Sequence, residues 1–167
     1  MKKWIFTIII VIVASGMYGA YVYNKAMEKK LPKEAKSVEI AKEKAKLTKV
    51  KSVDYYNGES SYTVVQGTDE KGEQLIVWVP EKKGETIVRK KSEGISEKEA
   101  LQRTIEQVGD DSKEPKSKPK EILKVKLGVE NNIPLWEVTY IDDDNRYSYY
   151  NLAFQDGQFL KRYSIEK

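Results

Sequence analysis

Residues 4–23 read WIFTIIIVIVASGMYGAYVY, without one charged side chain. About 20 mostly apolar residues are enough for a helix to cross the hydrocarbon core of a bilayer, and a helix satisfies its own backbone there. The pattern predicts an N-terminal transmembrane helix. Trp4 stands at one end and Tyr18, Tyr21 and Tyr23 at the other, where amphipathic rings settle at headgroup level. Two alternatives compete for the same stretch. A cleaved signal peptide would take Lys2 and Lys3 as its charged start, residues 4–13 as its apolar stretch, and Ala14 and Gly16 as the small pair before the cut. A buried helix would need a core large enough to cover it all round.

Beyond residue 30 the pattern changes. A helix is predicted over 33–47, opened by Pro32, whose missing N–H costs nothing at a helix start. Val38, Ala41 and Ala45 share one of its faces, while Ile40 and Leu47 lie roughly opposite. A second helix is predicted over 96–108, where Ser96 and Glu99 have the spacing of a capping box. Its Ala100, Leu101, Thr104, Ile105 and Val108 fall within an arc of about 140° and predict one buried face. Segments rich in Val, Ile, Tyr, Trp and Phe predict strands at 50–56, 61–66, 74–79 and 85–90, then at 122–129, 135–141, 147–154 and 159–165. Turn-forming residues separate them, among them Asn57-Gly58, Lys83-Gly84, Asn131-Asn132 and Asp156-Gly157. Connections this short imply antiparallel neighbours.

The two series look like copies. A shift of 74 positions sets Val53, Tyr55 and Asn57 on Leu127, Val129 and Asn131, Tyr62 and Val64 on Trp136 and Val138, and Asp69 on Asp143. After one residue drops out, Gly84 meets Gly157 and residues 87–89 meet 160–162. The expected fold class is α+β: an N-terminal transmembrane helix, then two tandem units, each a helix packed on an antiparallel sheet of about four strands. The expected divisions are a membrane anchor and juxtamembrane segment at 1–30, a first unit at 31–92 and a second at 93–167. A flexible loop is expected at 109–120, where Pro115 and Pro119 should block strand pairing. In each unit one sheet face should lie beneath the helix and the other should face water or a partner.

Composition narrows the chemistry. The 167 residues include no cysteine and no histidine. Disulfides, Cys/His zinc sites, thiol nucleophiles and triads built on imidazole are therefore excluded. A net charge of +4, from 30 basic and 26 acidic residues, is too weak to argue for nucleic acid. Asp142-Asp143-Asp144-Asn145 is the densest acidic cluster, but it lacks the glycine and distal glutamate of a calcium loop, and turn chemistry explains it. Neither Ser37 nor Ser96 is followed three positions later by lysine, as a Ser–Lys nucleophile requires. No glycine-rich phosphate loop is present, and no pair among the acids stands out for glycoside cleavage. No catalytic residue, cofactor or metal is expected. The strand aromatics Tyr55, Tyr56, Trp78, Trp136, Tyr149 and Tyr150 are the candidate partner contacts, since Tyr and Trp anchor interfaces.

The apolar N-terminal span, the lysine-rich helix opening Lys33-Glu34-Ala35 and the two helix-plus-sheet units together resemble the TseB-like cell-wall elongation regulators of Gram-positive bacteria. Residues 61–67 and 135–157, where a Tyr/Trp-x-Val strand runs into a hairpin, are similar to the PepSY and cystatin-like folds related to that family. The resemblance covers nearly the whole chain and brings no catalytic motif. It implies a non-enzymatic regulator that binds a class B penicillin-binding transpeptidase of the elongation machinery, with the body outside the cytoplasmic membrane. Counting basic residues argues the other way, because Lys25, Lys29, Lys30, Lys33 and Lys36 all follow the span. The alternative functions are a PepSY-like inhibitor or chaperone of an extracellular peptidase or wall hydrolase, and an enzyme using carboxylates alone.

Overall fold

The structure, a computed structural model, describes the backbone of residues 2–82, 84–109 and 118–167, and the side chains of these except 2–10, 24, 26–32 and 109. The side chains of Trp4 and Pro32 and most of the expected loop 109–120 therefore lie outside the described residues. The elements run α1 (Lys2–Ala45), β1 (Leu47–Asn57), β2 (Ser61–Asp69), β3 (Gln74–Pro80), β4 (Ile87–Lys90), a 3-10 turn (Lys91–Glu93), α2 (Glu97–Gly109), β5 (Pro119–Glu130), β6 (Ile133–Asp142), β7 (Tyr147–Ala153) and β8 (Phe159–Ile165). The chain divides into two compact units, Met1–Lys36 and Ser37–Lys167.

The first unit is helical. Val11, Ile12, Val13, Met17, Tyr18, Tyr21, Val22 and Tyr23 are all exposed, so residues 11–23 are apolar on every side. Among the described residues, no helix is long and apolar enough to cross a membrane. The helix start expected at Pro32 is not an element boundary, because α1 covers 2–45 as one helix. The neighbouring Ala, Glu, Lys, Leu and Met residues are strong helix formers and carry the helix through that position.

The second unit holds two four-stranded antiparallel sheets, ordered β1-β2-β3-β4 and β5-β6-β7-β8. Their irregularities repeat. The first strand of each sheet is bulged twice, between Leu47 and Lys49 and between Val50 and Ser52, then between Pro119 and Glu121 and between Ile122 and Lys124. Their second hairpins share one device. Asp69 Oδ1 accepts the N–H groups of Lys71 and Glu73 (both 2.9 Å). Asp142 Oδ1 accepts those of Asp144 (3.1 Å) and Arg146 (2.9 Å). Gly72 and Asn145 complete these turns with positive φ. Asp142, not Asp143, is thus the counterpart of Asp69, and the constant shift of 74 is corrected: the first strands correspond at 72 (Leu47 with Pro119) and the turns at 73. Three consecutive aspartates allowed the slip. A one-residue slip exchanges the faces of a strand.

The first sheet is buried on both faces. Val65, Leu75, Val77 and Val79 pack with Ala41 and Ala45 at the end of α1. Tyr62, Val64, Ile76 and Trp78 join a larger core with Ile95, Ala100, Val108 and the apolar face of the second sheet. The expectation that this sheet would offer a face to water is therefore corrected. Its cause is visible in β3, where five successive apolar residues are buried and no alternation exists. The capping box of α2 forms as expected: Ser96 Oγ accepts the Glu99 N–H (3.2 Å), and Glu99 Oε2 accepts the Ser96 N–H (2.8 Å). Ala100, Thr104 and Val108 are buried, but Ile105 is 47% exposed. It lies about 100° round the helix from Thr104, beyond the reach of the sheet. Pro119 does not block pairing. It opens β5 opposite Asp142, at the first position of an edge strand, where no ladder N–H is required.

Candidate functional site on the second sheet

Strand register assembles the site. Lys126 pairs with Glu137, Glu137 with Asn151, and Asn151 with Lys161, so one polar row crosses all four strands of the second sheet. The neighbouring row is Lys124, Thr139, Tyr149 and Tyr163. Trp136, Val138, Tyr150 and Leu152 occupy the alternate positions and enter the core, so both rows lie on the opposite face. Tyr149 and Tyr163 stack with ring centres 4.7 Å apart and planes 7° from parallel. Lys161 Nζ lies 5.1 Å from the centre of the Tyr163 ring and 3.5 Å from Glu130 Oε2.

One edge of this face is covered by the end of β1. The Tyr56 ring rests where a Cβ on Gly128 would stand, and its Oη donates to Glu130 Oε1 (3.4 Å). Lys126 Nζ donates to the Tyr55 carbonyl (2.9 Å). Burial raises the Glu137 carboxyl, and nearby Glu130 adds to the effect against the pull of Lys126. Burial, with Glu137 and Tyr149 beside it, pushes the Tyr163 hydroxyl up to about 12. Asn151 is fully buried, and its side-chain amide has no hydrogen-bond partner among the described residues. The arrangement is a hydrogen-bonding strip, half-buried and bordered by aromatic rings. Lys126, Glu137 and Lys161 keep polar atoms towards the surface, while Asn151 is sealed within the row.

The expected contact residues separate. Tyr149 lies on this face, half-buried, and Tyr55 is 46% exposed. Tyr56, Trp78, Trp136 and Tyr150 are buried and are corrected as contacts. Trp78 meets Phe154 edge to face (5.6 Å), Trp136 Nε1 donates to the Ile95 carbonyl (3.0 Å), and Tyr150 Oη donates to Gln107 Oε1 (2.8 Å). Large aromatics bury the most area, so the shared core claims them first. Of the acidic cluster, Asp142 points inward and its carboxylate is taken by Arg146 and Ser148. Among the described residues, no three Asp or Glu side chains gather as metal ligands. Sequence reasoning missed Lys126, Glu130, Glu137, Asn151, Lys161 and Tyr163. Their only signal was a polar or aromatic residue at the outward position of each strand, and the register that aligns them is not written locally.

Known proteins share this architecture. The family described as "Cell wall elongation regulator TseB-like domain" matches residues 36–80, the end of α1 with β1–β3. The chain is 37% identical over 163 residues to the "Probable cell wall elongation regulator TseB" of Bacillus subtilis (strain 168), covering 96% of each. Its fold is similar to that of the "YpmB protein from Bacillus subtilis", with a TM-score of 0.67, 34% identity, and coverage of 79% of this chain and 97% of that one. The two sheets of the second unit and this near full-length identity place the chain in the TseB-like family of cell wall elongation regulators.

Proposed function

We propose that the protein is a membrane-anchored, non-enzymatic regulator of cell-wall elongation that binds a class B penicillin-binding transpeptidase outside the membrane. The observation carrying this reading is the 37% identity to a probable cell wall elongation regulator along 96% of both chains. Two physical features support it. Residues 11–23 expose apolar side chains on every side of a helix, which is stable only in apolar surroundings. A tether of that kind holds the body near membrane-bound partners at raised effective concentration, so a modest interface suffices. The stacked Tyr149 and Tyr163 beside a polar row have the mixture of anchors and hydrogen-bonding groups that interfaces use. In this reading the two helix-and-sheet halves are PepSY- or cystatin-like units turned to binding.

The test is photo-crosslinking in living cells from positions 149 and 163, with buried position 152 as the control. A class B penicillin-binding protein should be captured from the first two and not from the third. Capture of cytosolic proteins alone overturns both topology and function. Capture of a peptidase or wall hydrolase instead replaces this reading with the inhibitor or chaperone one.

A further inference from the structure

The edges of the two sheets are β1 and β4 in the first and β5 and β8 in the second. An open edge invites a further strand, and proteins blunt their edges with bulges, prolines or short length. β1 and β5 are each bulged twice, β5 opens with Pro119, and β4 spans only Ile87–Lys90. β8 differs. Its one irregularity precedes Lys161, and from Lys161 to Ile165 it pairs with β7 without interruption. Among the described residues no strand lies on its far side.

Register shows which main-chain groups face that side. The Asp142 N–H donates to the Arg146 carbonyl (3.1 Å) and the Phe154 N–H to the Pro134 carbonyl (2.9 Å), at the two ends of the β6–β7 ladder. Main-chain groups alternate in direction along an antiparallel ladder. The even-numbered residues of β7 therefore bond to β6, and Tyr147, Tyr149 and Asn151 bond to β8, where their partners are Ile165, Tyr163 and Lys161. The N–H and C=O groups of Arg162 and Ser164 then point away from β7, along the open edge.

The side chains of this edge fit a second β8. Two antiparallel copies must set even-numbered residues opposite even-numbered ones for those groups to meet. With Tyr163 opposite Tyr163, Arg162 faces Ser164 and Lys161 faces Ile165, so no like charges meet. The next register in one direction sets Arg162 on Arg162, a repulsive pair. The next in the other direction leaves only residues 163–165 of the strands overlapping and sets Lys161 on Lys167.

We propose that β8 pairs with β8 of a second copy of this chain about a two-fold axis at Tyr163, joining their second sheets into one. Arg162 and Ser164 of the second copy exchange two main-chain hydrogen bonds, and the symmetry repeats them. Opposed residues share a face of the joined sheet, so both cores lie on one side. On the other side the Tyr149–Tyr163 stack continues into Tyr163 and Tyr149 of the second copy. The inference does not rest on the transpeptidase reading.

The chain contains no cysteine, so introduced cysteines report the register. Opposed residues that exchange no main-chain bonds stand about 4.5 Å apart at Cα, within disulfide reach. In the full chain, in neutral detergent under mild oxidation, Tyr163→Cys should give a covalent dimer. Lys161→Cys and Ile165→Cys should each stay monomeric alone and couple when mixed. Ser164→Pro removes an outward N–H where an edge strand tolerates proline, and should lower Tyr163→Cys coupling about tenfold, the loss expected for one or two main-chain bonds. If Tyr163→Cys or Ser164→Pro lowers the unfolding midpoint, the mixed pair decides, since Lys161 and Ile165 are both exposed. Failure of the mixed pair to couple overturns the proposal. A folded Tyr163→Cys chain that stays monomeric also overturns it, as do self-coupling of Lys161→Cys at equal yield and coupling indifferent to a folded Ser164→Pro.

Discussion

A buried carboxylate is tolerated only where hydrogen bonds and opposite charge replace the water it has lost. Asp142 is fully buried and meets that demand with the Arg146 backbone N–H, the Arg146 guanidinium (both 2.9 Å) and the Ser148 hydroxyl (2.9 Å). Burial alone would raise its carboxyl, but these partners outweigh burial and hold it below the usual range. A depressed folded-state value contributes stability above the unfolded aspartate value of about 3.9, and that contribution is lost as the pH falls through the folded value. Asp142→Asn should therefore lower stability by about 2 kcal/mol at neutral pH. The deficit should shrink steadily below about pH 4 as the native carboxylate itself protonates. Urea midpoints measured across this range check it, and a deficit independent of pH would show that the charge of Asp142 does nothing.

At the level of elements, local chemistry dominates. The Ser96 hydroxyl and Glu99 carboxylate satisfy terminal N–H groups of α2. Ser96→Ala should destabilise the protein by about 1 kcal/mol, and Ser96→Asp by much less, since both serine and aspartate cap well. Thermal unfolding of the two variants separates a capping role from a merely polar one. Features of this sort were legible in the chain, because a capping box, a turn and the period of a strand each depend on residues a few positions apart. β8 forms over Phe159–Ile165 as its pattern predicts. Where elements differ from expectation, a distant neighbour intervened. Pairing with β6 draws Pro119 into β5, and the position of the sheet under α2 leaves Ile105 outside.

The whole molecule adds what no element contains. Tyr56, from the first sheet, lies over Gly128 of the second, and one core draws side chains from both sheets and α2. A Cβ at position 128 would collide with that ring, so Gly128→Ala should cost about 1–3 kcal/mol by overpacking. Combining it with Tyr56→Ala should cost less than the two changes separately, because the second removes the obstacle met by the first. A double-mutant cycle measures this coupling, and simple additivity would show that ring and glycine do not meet in solution. Because the sheets share that core, tryptophan fluorescence and far-ultraviolet circular dichroism should report one coincident unfolding transition of the second unit.

Apolar runs, strand alternation, turn residues and the helix cap by themselves determined an apolar N-terminal helix, the eight strands of the described residues in two similar series and the absence of thiol and imidazole chemistry. Each follows from the side chains present or from interactions within a few residues. Tertiary structure alone decided that both faces of the first sheet are covered, that four of the six marked aromatics are core, and that Lys126, Glu137, Asn151 and Lys161 form one line. The physical reason is register. A shift of one residue exchanges the two faces of a strand at little local cost, so only packing between distant segments fixes which side chains meet.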